Sequence, residues 1–542
     1  MSTDYRFNRR TAANVNVTRV AQAVAALVLS LAMLEPALAS ETDGVAPGAG
    51  GNGNGSTSGA GGNGGGQAGA AGAGAGRASA VNGNGGTGSS YGSPTASGGS
   101  VGQTISTDAS LTTSRQGGNG VSGTTARRSG GGNPFHGTAG GGGGAGAFVI
   151  GARNITVNAG ISLAGGKGGN GDAGRSGCTG CGKGGAGGGG DGIVMSAGGT
   201  LTNLGQIQGG AGGVGATGSA GSGSTGGGGG GHGVEGASLT IFNSGVIRGG
   251  TGQAGGGTGS DAAEAGEDGA AIHWTGGNNT LRLRSGSVID GALWVGSGAT
   301  ATISADNPVA AMNNWLLLDG SATISTASQP ITFSGPITGT GGLTKASAGT
   351  LILSGTNTFG GGLNIQAGEV QAQLVSLGTG AIRDNGTLRL NSTADGTLKQ
   401  ALTGSGSLIK EGSKQLTLNA NAQLSGTVQV SGGTLAVGGS GTLTAGAVEL
   451  GNSGGTLDLS AATHTTTISA LSGVAGTAIR TGSAALVVGD ASNQTFGGTI
   501  SGTGSLTKQG SGSLTLTGTN TYTGTTTISA GTVMGTSGSF GA

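Results

Sequence analysis

Two cysteines are the first residues in this sequence whose spacing could support chemistry. Cys178 and Cys181 are separated by Thr179 and Gly180. A redox pair of this spacing requires a βαβ context, and a zinc site requires twice as many ligands. The pair instead lies in a glycine-rich stretch of a chain whose first residues, described below, direct export. We therefore predict a small local disulfide between Cys178 and Cys181, with no metal ion and no cofactor.

Two aspartates within glycine-rich tracts are candidate calcium ligands. Residues 168–172 read Gly-Gly-Asn-Gly-Asp, and Asp191 follows another glycine run. The calcium-binding β-roll requires Gly-Gly-x-Gly-x-Asp in tandem copies. In this sequence Asp172 comes too early in its motif and no tandem copy follows. The sequence therefore predicts no calcium site.

Residues that could form a catalytic centre show no coherent spacing. Residues 88–92 fit G-x-S-x-G, but 135 of the 542 residues are glycine, so such a match is expected by chance. A nucleophile elbow must also join a strand to a helix. The four histidines are far apart in the sequence and share no visible spacing with Asp or Ser partners: His136, His232, His273 and His464. We predict that the chain is not an enzyme.

The first 39 residues differ from the rest and have the pattern of a signal peptide. An apolar stretch from Val20 to Leu34 is followed by Ala37-Leu38-Ala39, a small-x-small cleavage motif. The apolar stretch is shorter than the roughly 20 residues that a membrane-spanning helix needs. We predict residues 1–39 to be a signal peptide, cleaved between Ala39 and Ser40. Its positive charges are Arg6, Arg9, Arg10 and Arg19.

Charge and composition exclude several classes of protein. Without residues 1–39 the chain has 19 basic and 20 acidic residues, so it is close to neutral. This balance gives no electrostatic basis for binding nucleic acid. Aromatic residues make up only 3% of the chain, so a conventional core of large side chains is excluded over most of its length.

The chain after the signal peptide divides into three regions. Residues 40–145 are mainly Gly, Ala, Ser and Asn, and we predict a flexible segment in which Val101, Ile105 and Leu111 could form isolated strands. In residues 146–275, short apolar runs recur before glycine pairs that begin at 165, 209 and 249, intervals of 44 and 40 residues. These intervals predict stacked β units from which long glycine-rich loops project.

Residues 276–542 contain three ungapped copies of one motif, at 337–370, 402–435 and 500–533. In each copy a leucine lies two residues before a lysine, and two leucines at i and i+2 share one face of a strand. A bulky residue and a closing glycine at a turn follow. The copies start 65 and 98 residues apart, which we interpret as multiples of ~33 with degenerate copies between them. The aligned leucines and lysines are Leu343, Leu408, Leu506, Lys345, Lys410 and Lys508.

This motif resembles the passenger-associated transport repeat of autotransporters, G-x-L-x-K-x-G-x-G-x-L-x-L-x-G-x-N-x-[YF]-x-G-x-T-x-[IV]-x-x-G. The third copy matches almost throughout, and the middle copy departs from the pattern at Lys414, Ala420 and Ala422. The resemblance implies an all-β fold, a right-handed parallel β-helix (solenoid), here preceded by the glycine-rich, largely disordered segment. It also implies secretion across the inner membrane and translocation through a C-terminal outer-membrane β-barrel. Because the sequence stops soon after the third copy, we expect it to be a fragment that lacks this barrel.

The resulting functional prediction is an exported bacterial surface passenger, a structural stalk or adhesin-like protein translocated by the type V route. Its expected location is the outer-membrane surface or the medium. Its expected partners are the translocator barrel and ligands on host or neighbouring cells, with no nucleic acid. Two alternatives stay open: the passenger of a secreted enzyme whose catalytic module lies outside the repeats, and a glycine-rich extracellular matrix protein.

Overall fold

The computed structural model describes nine main stretches of the chain and two short strands near residue 55. We treat only these residues as structure. They are 53–54, 58–59, 96–127, 135–137, 139–172, 184–217, 225–256, 263–307, 311–327, 329–451 and 454–541.

Four parallel sheets make up almost all of the described secondary structure. The chain winds through them in order, so that each strand pairs with a strand from the previous winding. We call one complete winding a rung. The eight-stranded sheet contains Thr104–Ile105, Ala147–Val149, Ile193–Met195, Val234–Ala237, Ile272–Gly276, Leu293–Val295, Leu316–Leu318 and Ile337–Thr338. The five-stranded sheet contains Arg115–Gln116, Ser162–Ala164, Gln206–Gln208, Val246–Arg248 and Val288–Asp290. The six-stranded sheet contains Gly396–Leu398, Gln415–Leu418, Thr434–Val437, Thr456–Asp458, Ala478–Arg480 and Thr499–Ser501.

The fourth and longest sheet follows the chain from the first described rung to the last. Its two ladders are joined by the ten-residue strand Asn421–Val430. The other strands are Ala109–Leu111, Arg153–Val157, Gly199–Asn203, Leu239–Asn243, Asn278–Leu283, Thr300–Ala305, Ser321–Ser325, Ile331–Phe333, Leu343–Ala346, Thr350–Leu353, Leu363–Ile365, Glu369–Ala372, Ile382–Asp384, Thr387–Asn391, Leu402–Gly404, Ser407–Glu411, Thr442–Leu450, Thr466–Gly473, Leu486–Val488, Gln494–Phe496, Leu506–Lys508, Ser513–Leu516, Thr526–Ile528 and Thr532–Gly535.

A few elements lie outside these sheets. Two short antiparallel pairs join Gly53–Asn54 to Ser58–Gly59 and Thr125–Arg127 to Phe135–Gly137. A single 3-10 turn spans Leu374–Ser376. No helix in the described part of the chain has the length and apolar character needed to cross a bilayer. The predicted all-β parallel solenoid is therefore confirmed.

The rung, and not the 33-residue interval inferred from the motif copies, is the physical repeat. Leu343 pairs with Leu363, then Ile382 and then Leu402, which are steps of 20, 19 and 20 residues. Leu408 belongs to the other ladder of the long sheet, where it pairs with Leu388. The interpretation of the spacing as multiples of 33 was wrong. A motif copy covers more than one rung, and the middle copy lies on a different face from the first.

Alternating side chains build the interior, as the motif predicts. Both i, i+2 leucines of every copy are buried, while Thr417 and Thr515 between them are only half-buried. The closing glycines Gly368, Gly433 and Gly531 have φ of 73°, 64° and 73°, a backbone conformation that favours glycine. The buried leucines are Leu351, Leu353, Leu416, Leu418, Leu514 and Leu516.

The end of the segment predicted to be flexible belongs to this stack. Ile105 and Leu111 are buried, and their strands pair with those containing Val149 and Val157 on the next rung. The two strands expected to be isolated are therefore part of the first described rung.

The glycine tracts do not project as loops where the structure describes them. They lie side by side and bond to one another through their backbones. In one tract, Gly140 and Gly143 donate to the carbonyls of Gly185 and Gly188, a three-residue interval on both sides. Gly144 of the same tract donates to Gly118 on the opposite side. A three-residue repeat is that of a polyproline II helix, whose backbone groups point outward and need external partners.

We call this assembly the glycine slab. It comprises residues 97–102, 117–123, 139–146, 165–171, 184–192, 209–215, 225–233, 249–256 and 263–271. Its tracts approach so closely that side chains are excluded. A Cβ added at Gly210 would lie 2.0 Å from the carbonyl oxygen of Gly166. Glycine is required here because neighbouring backbones occupy the space that a side chain would fill.

Gly210→Ala should destabilise the slab by about 1–3 kcal/mol through overpacking. Gly276→Ala is the matched control, because its Cβ would meet nothing closer than 3.9 Å. Thermal unfolding followed by circular dichroism, with hydrogen exchange of residues 184–233, measures the effect. Equal stability of the two variants would show that the slab is not closely packed.

One carboxyl group faces the interior of the repeat region. Asp384 is fully buried on the strand Ile382–Asp384, and its Oδ1 accepts the Gly386 amide at 2.9 Å. Burial raises the pKa of Asp384 to about 6, although hydrogen bonds from the Gly386 and Leu388 amides oppose the shift. Because the folded chain holds this proton more tightly than the unfolded chain, the contribution of Asp384 to stability falls between pH 4 and pH 6.

Asp384→Asn should remove this penalty. At pH 7 we expect the variant to be more stable by on the order of 1–3 kcal/mol, and the difference should vanish below pH 4. Urea unfolding of both chains across pH 4–7 measures the difference. A wild-type advantage at pH 7 would mean that the carboxylate is well compensated in its buried position.

Candidate functional site

The lysine of each motif copy is buried and donates to backbone carbonyls. Lys345 has no solvent exposure, although its strand directs it into a mainly aliphatic interior. Its Nζ donates to the carbonyls of Ala346 at 2.8 Å, Ser347 at 2.7 Å and Ala367 at 3.1 Å. The first two acceptors end its own strand, and the third lies one rung further on. One ammonium group therefore binds two consecutive rungs.

Lys410 and Lys508 reproduce this arrangement. Both are fully buried, and each Nζ has two acceptors immediately after the lysine and one 22 residues later. The acceptors of Lys410 are the carbonyls of Glu411, Gly412 and Gly432. Those of Lys508 are the carbonyls of Gln509, Gly510 and Ala530. We call these three sites the lysine clamps.

Burial affects the charge of the clamps in one direction. It lowers the pKa of Lys345 to about 8. Burial also lowers the pKa of Lys410, while the charge of Asp395 opposes that shift. The Lys345 amine remains mostly protonated at neutral pH, so it has three protons for its three carbonyl acceptors.

The asparagine of the motif forms a second buried bridge. The Oδ1 of Asn357 accepts the Ile337 amide at 2.8 Å, and its Nδ2 donates to the Ser376 carbonyl at 2.7 Å. These partners lie 20 residues before and 19 residues after it, so the side chain connects three rungs. Asn520 in the third copy has the same two bonds, to the Ile500 amide and the Ser539 carbonyl.

The middle copy has Ala422 at the asparagine position, and its backbone responds. The chain continues there as the strand Asn421–Val430, whereas no strand is assigned between Ser354 and Gly362 in the first copy. An asparagine that bonds to neighbouring backbone groups competes with the strand ladder. Alanine removes this competition, so the departure from the motif has a local structural consequence.

The other residues considered in the sequence have different fates. Ala39, Ser40, Cys178, Cys181 and residues 88–92 lie outside the described residues. The predicted cleavage and local disulfide therefore stay predictions. Asp191 is buried in the glycine slab, where its Oδ1 accepts the His232 amide at 2.6 Å.

Two histidines that are far apart in the sequence are close in the structure. The rings of His232 and His273 lie 4.6 Å apart between centroids, with Glu235 beside both. Their separation of 41 residues is close to the 40-residue interval between glycine pairs, the one sequence signal that could have identified them. His464, by contrast, is exposed.

The geometry defines a class before any comparison is made: a parallel β-solenoid whose rungs are joined by buried motif side chains. The passenger-associated-transport-repeat family matches residues 343–372, 408–437 and 506–534. Each matched stretch contains one lysine clamp. These repeats, with the relative described next, identify the chain as an autotransporter passenger domain that is exported to the outer-membrane surface or secreted.

The chain is also similar to the adhesin BmaC autotransporter of Brucella suis biovar 1 (strain 1330). The two are 32% identical over 237 residues, which is 40% of this chain and 6% of that protein. The chain therefore spans a small fraction of the length of this relative. No solved structure matches the chain.

Lys410→Met should destabilise the repeat region by about 2–3 kcal/mol, because buried carbonyls lose their donor. Lys414→Met is the matched control within the same copy, since Lys414 is exposed. Chemical unfolding with hydrogen exchange of residues 402–437 tests this. If both variants unfold at the wild-type denaturant concentration, the clamp does not contribute to stability.

Proposed function

We propose that this chain is an adhesin-like surface passenger, a solenoid stalk that displays binding surfaces outside the cell after type V export. The observation that carries the proposal is the presence of three transport repeats, each locked into one parallel stack by a lysine clamp. The similarity to a protein named as an adhesin supports the adhesive part. The proposed export partner is an outer-membrane translocator barrel.

A non-enzymatic role agrees with the chemistry of the motif. The motif side chains that could carry charge or donate protons are turned inward and bonded to backbone carbonyls. The outward positions of the same strands, such as Thr344 and Thr507, carry short hydroxyl side chains. Such faces suit many weak contacts with a ligand surface, which gain strength through multivalency.

The ligand class that we propose is a component of a host or neighbouring-cell surface, including other copies of this chain. The near-neutral balance of 23 basic and 22 acidic residues in the sequence argues against a ligand held by net charge alone. Contacts through hydroxyl, amide and backbone groups are therefore favoured.

Surface display tests this function directly. The full chain is joined ahead of an outer-membrane translocator barrel in a non-adherent bacterium, and surface exposure is measured by protease shaving. We expect the displaying cells to bind immobilised extracellular matrix or to aggregate with each other at least tenfold more than cells displaying the barrel alone.

The Lys410→Met and Lys414→Met chains separate export from adhesion. We expect Lys410→Met to reduce the amount of surface protein, since a less stable stack is less efficiently retained outside, while Lys414→Met should not. Binding is then compared at equal surface amounts. A wild-type chain that is displayed normally but neither binds matrix nor aggregates cells would disprove the adhesive function.

A further inference from the structure

A histidine, a glutamate and a tryptophan form one outward column on the eight-stranded sheet. Glu235 pairs in register with His273, and His273 with Trp294, on three successive rungs. The rings of His273 and Trp294 stack at 4.0 Å with an interplanar angle of 18°. Val194 occupies the same column on the preceding rung and is buried. Glu235 therefore lies between an apolar residue and an imidazole.

The carboxylate of Glu235 is enclosed on two sides by imidazole nitrogens. Its Oε2 lies 3.6 Å from Nδ1 of His273 and 3.8 Å from Nε2 of His232. The side-chain exposures are 8% for Glu235, 13% for His273 and 2% for His232. A carboxylate this deeply buried requires a compensating positive charge or hydrogen-bond donors.

The hydrogen bonds of His232 determine what it can contribute. Its Nδ1 accepts the Ala270 amide at 2.9 Å, so the proton of the neutral ring is on Nε2. That proton points to Glu235. His232 is thus a donor that orients the carboxylate, and it is not itself free to coordinate a metal through Nε2.

His273 is different, because its Nδ1 is a buried atom with no hydrogen-bond partner. It faces Glu235 Oε2, and two acceptors in this position need a cation between them. Metal–nitrogen and metal–oxygen bonds of about 2.0–2.2 Å place neighbouring ligands of a tetrahedral ion about 3.4 Å apart. The observed 3.6 Å separation is close to that value without rearrangement of either strand.

We propose that Glu235 and His273 form a binding site for one divalent transition-metal ion. The Glu235 carboxylate and His273 Nδ1 are the protein ligands, and water completes the coordination. His232 holds the carboxylate from behind, as hydrogen-bonded groups next to metal ligands commonly do. A carboxylate with an imidazole suits Zn²⁺, Co²⁺ and Ni²⁺, whereas Ca²⁺ prefers oxygen ligands alone.

The site would connect two parts of the fold. Glu235 and His273 come from adjacent rungs of the sheet, and His232 comes from the glycine slab. A bound ion therefore fastens consecutive rungs beside the slab, as the lysine clamps do within the repeats. Because the ion binds only the folded arrangement, it should raise the unfolding temperature of the chain.

Calorimetric titration of the full chain with ZnCl₂ and CoCl₂ at pH 7.5 tests the proposal. We expect one ion per chain and a higher unfolding temperature that EDTA reverses. Glu235→Gln and His273→Gln should each weaken binding at least tenfold, and His232→Gln by about 10–100-fold. His464→Gln, at an exposed histidine elsewhere, should bind as the wild type does.

Trp294 provides a second measurement that needs no ligand variant. Bound Co²⁺ should quench its fluorescence, and Trp294→Phe should abolish most of this quenching while still binding one ion. This comparison decides the question even if the ligand variants do not fold. No saturable binding at millimolar ion would mean that a proton on His273 compensates Glu235. Binding unaffected by Glu235→Gln and His273→Gln, or quenching equal in Trp294→Phe, would equally overturn the site.

Discussion

Each rung of this chain lies on the previous one through parallel backbone hydrogen bonds, and a rung can bury its side chains only when its neighbour is in place. A single rung offers only a few aliphatic residues, too few for a core of its own. In-register stacking supplies the missing contacts, so Leu343 is covered by Leu363 and Leu363 by Ile382. Any feature that fixes the register of one rung therefore stabilises the rungs on both sides.

Buried polar side chains serve this constraint in the repeat region. A lysine in a mainly aliphatic interior is unfavourable unless its charge is fully solvated by protein groups. The clamps meet that condition with carbonyls at the strand ends, where the ladder leaves backbone acceptors unused. Lys345 and Asn357 therefore satisfy backbone groups of neighbouring rungs, and a slip by one residue would leave these groups unpaired. Their role is to specify register in addition to contributing stability.

The slab solves the same stacking problem with different chemistry. Its tracts lack side chains, so backbone groups bond directly to the neighbouring tracts, as between Gly210 and Gly190 at 2.6 Å. Ordering glycine is entropically unfavourable, because this residue loses the most conformational freedom. Dense backbone bonding and close packing must offset that loss. The three-residue spacing of donors explains why Gly-Gly-x recurs in the tracts, since two of every three positions face another backbone.

The sequence was informative where a pattern is local and uninformative where chemistry depends on stacking. Period-two leucines and turn glycines could be predicted because strand pleating and positive φ act within a few residues. The burial of Lys410 could not, because its acceptors include Gly432 on the next rung and lysine is normally solvated. The rung length was missed since motif copies fall on different faces. The glycine tracts were expected to be loops because their partners are other tracts, and composition alone does not reveal pairing. Glu235 and His273 illustrate the same point. Their meeting follows from a rung length that becomes visible only once the ladder is known, and in a solenoid that length converts distant residues into neighbours.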